Sequence, residues 1–207
     1  KEDVFYCPNG IPNIDMGTLE NKSIENEIQL LFLSNLIVSK GVFVLLEALK
    51  ILLDKNINFK CNFVGGEGDI SELDFNNYVI SLGLENNVKY LGGKYNEDKN
   101  KVFLESGIFV HPSYEDCLPL VLLEAMQYSL PIVSTFQGGI PDVVIQDVTG
   151  FLVVQKDVEA LANKLEILIT KPEIRKKMGI AGRVRYEKEF TLDQFEKNMT
   201  QILKTII

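Results

Sequence analysis

The 207-residue sequence contains no tryptophan and only one histidine, His111. Its three cysteines, Cys7, Cys61 and Cys117, stand far apart, with no CxxC pair and no histidine cluster beside them. That arrangement argues against a zinc site, and the odd count argues against a complete disulfide framework. A reducing compartment fits such a chain best, so a cytoplasmic location is expected. No apolar run is long enough to span a bilayer, and the first residues show no signal-peptide pattern. A parent protein lying at the cytoplasmic face of a membrane remains compatible with this. There is no GxxxxGK[ST] loop, and Gly66–Ser71 lacks the third glycine of a dinucleotide fingerprint, which argues against P-loop and nicotinamide enzymes. Positive charge is scarce too. Lys and Arg number 21 against 29 Asp and Glu, a formal charge of −8. A nucleic-acid partner is therefore not expected. The one basic stretch, Lys171 to Lys188, is interrupted by Glu173 and Glu187 and reads as a solvated helix face rather than a membrane patch. An anionic ligand would have to be held locally, by backbone N–H groups, helix ends or a few cations.

What is present is a globular core, with 46% hydrophobic and 24% charged residues. Residues 1–27 are turn-rich, with Pro8-Asn9-Gly10, Pro12-Asn13 and a polar run from Glu20 to Glu27, and read as a connector. Residues 28–207 then read as one domain. A short apolar run predicts a strand at Ile28–Ser34, and strand-like patterns predict others at Phe59–Val64, Val88–Leu91, Ile108–Val110, Ile132–Thr135 and Phe151–Val154. Helical spacing predicts helices at Val42–Leu53, Ser71–Leu82, Glu97–Glu105, Pro119–Tyr128, Pro141–Ile145, Val158–Ile169, Pro172–Glu189 and Leu192–Ile206. Strands alternating with helices predict an α/β fold, a Rossmann-like parallel sheet with helices on both faces. Ligands of such sheets bind outside the carboxyl ends of the strands. That rule selects the loops Ser34–Gly41, Gly65–Asp69, His111–Pro119 and Thr135–Gly139.

The segment His111–Met126, HPSYEDCLPLVLLEAM, is the most informative. A loop with two acids, Glu115 and Asp116, leads into an apolar helix broken only by Glu124. A carboxylate there is costly unless hydrogen-bonded. Glu124, placed about 7.5 Å along a helix beginning at Pro119, could face the crevice and accept bonds from a ribose diol. The N–H groups of Leu118 and Leu120 would form an anion site at the helix tip. The competing reading has Glu124 bonded to nearby backbone and Asp116 capping the helix. His111, at a strand end, is read as a hydrogen-bonded structural residue in preference to a catalytic one.

The segment resembles the acidic signature of the retaining glycosyltransferases of family 4, the group 1 transferases with the two-domain GT-B architecture. The signature's two acids, separated by seven residues, fall on Asp116 and Glu124, with Glu115 one position early. Ser34-Asn35-Leu36 through Lys40-Gly41, Val64–Asp69, Val88–Gly92, Gly138-Gly139-Ile140-Pro141-Asp142 and Gly150–Val153 resemble further family segments in the same order. The resemblance implies that this is the C-terminal donor-binding half. Phe5–Ile11 resembles the interdomain segment, which implies that an N-terminal acceptor domain, absent from these residues, lies upstream. It further implies a nucleotide-sugar co-substrate, such as a UDP- or GDP-sugar, no metal, and an acceptor that is a glycan, a lipid or a small molecule. Asp116 and Glu124 would be the catalytic pair, Asp116 on the transferred sugar and Glu124 on the ribose. Lys40 would meet the diphosphate. Asn35, Gly41, Glu115, Cys117, Leu118, Leu120, Gly138 and Gly139 would complete the donor site. Transfer would retain configuration by front-face displacement, and this half alone would bind nucleotide weakly and transfer nothing.

Three positions depart from the family pattern. Asn35 stands where an Arg is usual, Asp116 is one methylene shorter than Glu, and Cys117 replaces a loop glycine, where a positive φ would be strained. A catalytically degenerate sugar-nucleotide domain, a phosphorylase- or synthase-like relative and a ligand-free interaction module therefore stay open as alternatives.

Overall fold

Residues 4–14 and 27–206 are described by the structure, a computed structural model. Six strands form one sheet: β1 (Ile28–Leu33), β2 (Phe59–Val64), β3 (Val88–Tyr90), β4 (Ile108–His111), β5 (Ile132–Thr135) and β6 (Gly150–Val153). Eight α-helices connect or follow them: α1 (Val42–Asp54), α2 (Glu72–Ser81), α3 (Asn96–Glu105), α4 (Val121–Gln127), α5 (Ile140–Val143), α6 (Val158–Thr170), α7 (Pro172–Glu189) and α8 (Leu192–Ile206). A 3-10 turn, Val38–Lys40, was not foreseen.

The strand order is β3-β2-β1-β4-β5-β6, and every pairing is parallel. Parallel strands need crossovers, and the helices supply them on both faces. Alternation along the strands sorts side chains into two cores. Leu30, Phe32, Ile108 and Val110 face the layer built on α1 and α6. Leu31 and Phe109 face the opposite layer, which holds Leu122, Met126 and Tyr186 of α4 and α7. Both layers being apolar explains why Leu30–Leu33 of β1 and Ile108–Val110 of β4 are unbroken hydrophobic runs.

Strand order reverses between β1 and β4, the point at the carboxyl edge where the ligand crevice of such a sheet is expected. The residues Lys40 and Asp116 lie on the loops that follow these two strands.

The turn-rich N-terminal segment is docked rather than loose where it is described. Ile11 bridges to Thr191, donates to Phe190 O at 3.0 Å and accepts from Leu192 N–H at 2.9 Å. The Tyr186 hydroxyl bonds Ile11 O and Asn13 Oδ1 at 3.0 Å each. Helix α8, by contrast, buries none of its residues, although its sequence is amphipathic. Two arginines of the basic stretch turn inward: Arg183 donates to Gln127 O at 2.6 Å, and Arg185 to Asp142 O at 2.8 Å. The stretch is therefore partly structural scaffolding. Among the described residues, no helix is long and apolar enough to cross a membrane.

Candidate functional site

Hydrogen bonds to backbone groups tie the acidic loop to its neighbours. The Tyr114 N–H donates to Ser39 O at 2.9 Å, and the Ser113 hydroxyl to the same oxygen at 3.2 Å. Ser134 bonds His111 O at 2.6 Å, and Thr135 bonds Ser113 O. The Gly139 N–H donates to Cys117 O. Gly41 takes φ +82°, and an added Cβ would lie 2.3 Å from Pro112 O, so the loops after β1 and β4 touch there.

Within this frame Lys40 reaches from the loop after β1 to the loop after β4. Its Nζ lies 2.9 Å from Asp116 Oδ2 and 3.0 Å from Glu115 O. A lysine has three donors, so one is left over for a ligand. His111 Nε2 lies 2.8 Å from the same Asp116 oxygen. Burial opposes ionisation of Asp116. Hydrogen bonds from His111 and Lys40, attraction to His111 and a bond from Ser113 outweigh it and lower the carboxyl from 3.8 to about 2. A folded-state value below the ordinary one stabilises the fold above 3.8, and this contribution is lost as pH falls toward 2. The stability gap between wild type and Asp116→Asn should therefore be on the order of 1–2 kcal/mol at neutral pH and close between about pH 4 and pH 2. Urea unfolding at a series of pH values measures it, and a gap independent of pH would refute it.

Glu124 is paired with a residue that the sequence did not single out. Lys99 Nζ on α3 lies 2.7 Å from Glu124 Oε1. Neither competing reading of Glu124 anticipated this ion pair, and nothing local in Asn96–Glu105 signals it. A second unforeseen cation, Lys156, sits 4.4 Å above the Tyr114 ring beside the acidic loop.

Several expectations are corrected in detail. Helix α4 begins at Val121, not Pro119, because its first turn is opened by 3-10 bonds from Leu122 to Pro119 O and from Leu123 to Leu120 O. Glu124 consequently lies in the first turn of α4, not the second. Leu118 and Leu120 precede the helix. Their N–H groups, with those of Asp116 and Cys117, donate to no carbonyl among the described residues. Cys117 does not take a positive φ, so the strain expected of a glycine replacement does not arise. The Asn35 Oδ1 accepts from Gly66 N–H at 2.9 Å, so this side chain clamps the loop after β2. Gly139 spends its N–H on Cys117 and cannot offer it to a ligand, whereas Gly138, at φ +51°, packs against Asp116 O. The Glu115 side chain is exposed; its carbonyl, not its carboxylate, meets Lys40.

The chain is similar to known proteins in sequence and in fold. The model of the family described as glycosyl transferases group 1 matches residues 19–185. A capsular polysaccharide biosynthesis glycosyltransferase of Staphylococcus aureus is 26% identical over 98% of this chain and 54% of its own length. A solved glycosyltransferase from Rickettsia africae superposes with a TM-score of 0.80 at 25% identity, over 97% of this chain and 56% of that one. An Anabaena protein solved in complex with UDP-glucose superposes with a TM-score of 0.76 at 23% identity, over 87% of this chain and 49% of that one. The chain thus spans about half the length of these proteins.

Proposed function

Because the chain belongs to the group 1 glycosyl transferases, we propose that it is the donor-binding half of a retaining, family 4 enzyme that moves a sugar from a nucleoside diphosphate to an acceptor. The observation that carries the reading is the Lys40–Asp116 pair joining the β1 and β4 loops, in a segment where the N–H groups of Cys117, Leu118 and Leu120 have no carbonyl partner among the described residues. Cation and N–H groups together suit a diphosphate, and both stabilise the charge that grows on it as it departs. No bound metal is needed in this scheme. Asp116 Oδ1 accepts from the transferred sugar and Glu124 Oε2 from the ribose, since Lys40, His111 and Lys99 hold the other oxygens. The acceptor, be it glycan, lipid or small molecule, belongs to an upstream domain.

Calorimetric titration with the diphosphates of uridine, guanosine and adenosine, and with their sugars, tests the reading. UDP-glucose is the first probe because the Anabaena protein was captured with it. Binding of at least one nucleoside diphosphate is expected; a folded sample that binds none would refute the donor site. Glu124→Ala should weaken nucleoside diphosphate affinity by about tenfold, through loss of charge-assisted bonds to the ribose, and more than Asp116→Ala does. The opposite ranking would overturn the two roles. A second reading, a catalytically degenerate domain, draws on Asn35, whose carboxamide serves Gly66 and supplies no charge to the crevice. Transfer by a full-length parent separates the two.

A further inference from the structure

His111 ends β4 with its side chain 2% exposed, and its ring lies nearly parallel to that of Phe109, 6.3 Å away at 12°. Phe109 is followed by Phe103 and Tyr128, stacked 6.1 and 4.9 Å apart in turn. The imidazole is thus the last member of an aromatic row running out of the core. Its two nitrogens differ sharply. Nε2 meets Asp116 Oδ2 at 2.8 Å, whereas Nδ1 is buried and has no hydrogen-bond partner among the described residues. Buried polar atoms are nearly always satisfied, so a histidine held with one nitrogen unserved is kept for what the other does. Because Asp116 is ionised, Nε2 carries the proton and donates. Lys40 holds the same oxygen from the opposite loop. Two donors from different elements thus converge on Oδ2 and restrain the rotation of the carboxylate.

We infer that His111 is a positioning residue: it sets the orientation of the Asp116 carboxylate through Nε2 and thereby the enzyme's grip on the transferred sugar, without touching the nucleotide. The inference rests on the donor-site reading above. It is specific to the Nε2 atom, so two amide substitutions separate position from bulk. Glutamine places its amide nitrogen close to where Nε2 stands. Asparagine ends one bond earlier and cannot reach Asp116.

The test is titration of UDP and UDP-glucose, with the guanosine and adenosine pairs alongside, into wild type, His111→Gln and His111→Asn, each checked for cooperative unfolding. The expected result is a loss of about tenfold in nucleotide-sugar affinity for His111→Asn, with the nucleoside diphosphate unchanged, and recovery of most of that loss in His111→Gln. Carbon NMR titration of the Asp116 carboxyl gives a second, ligand-free readout. Its ionisation should shift upward in His111→Asn and stay near wild type in His111→Gln. If wild type binds nucleoside diphosphate but His111→Asn leaves the sugar increment intact, the inference falls and the donor site stands. Equal loss in the Gln and Asn variants would also overturn it. A wild type that binds no nucleotide overturns both.

Discussion

Replacing Gly138 with alanine is expected to destabilise the domain by about 3 kcal/mol, one of the larger losses available from a single methyl group. Two costs add. Gly138 sits at φ +51°, and an alanine in the left-handed region pays about 1–2 kcal/mol. The new Cβ would also lie 2.1 Å from Asp116 O, a backbone atom that cannot swing aside as a side-chain tip can. Relief requires moving the acidic loop itself, so nucleotide-sugar affinity should fall together with stability. Gly83→Ala is the matched control: it too has a positive φ, +69°, but open space around its Cβ. It should lose only the conformational part, about 1 kcal/mol. At about 2–4 °C per kcal/mol for a chain of this size, the two melting temperatures should separate by several degrees. Equal melting temperatures would show that the contact between the β5 and β4 loops is not tight.

Lys40→Met carries the largest expected effect on binding. Methionine keeps most of the aliphatic length and removes the ammonium that spans the crevice. Charge-assisted bonds contribute about 1.5–3 kcal/mol, so nucleoside diphosphate affinity should drop by about 10- to 100-fold. The change also strips Asp116 of one of the two donors on Oδ2, and its carboxyl should titrate higher as a result. Wild-type affinity should fall more steeply with salt than that of the variant, so the gap between them narrows, because the removed interaction is electrostatic. A variant that binds the diphosphate as tightly as wild type would place the phosphates elsewhere on the domain.

The layered fold was legible because its strands are short apolar runs and its helices carry apolar spacing. Leu30–Leu33 announces a buried strand by its unbroken apolar run, and Phe59–Val64 a strand by alternation. The acidic loop was legible because Asp116 and Glu124 lie within one continuous segment. What escaped was tertiary or local to backbone geometry. Lys99 reaches Glu124 from another helix, and no periodicity in Asn96–Glu105 distinguishes it from a solvated lysine. Asn35 was read as a ligand contact, whereas its partner, Gly66, is brought to it by the pairing of β1 with β2. The start of α4 was misplaced because proline suits a first helical turn, yet the turn after Pro119 closes with 3-10 bonds. The bond between His111 and Asp116 has no sequence period, since a loop, not a helix or strand, sets the spacing.

The loops after β1, β4 and β5 are joined through main-chain oxygens: Ser39 O, His111 O, Ser113 O and Cys117 O each receive a bond from a neighbouring loop or strand. Such a frame is already ordered before anything enters it. A ligand meeting it gives up its own freedom but spends little on immobilising the protein. Association with this domain should accordingly be fast and single-step, with no slow conformational phase.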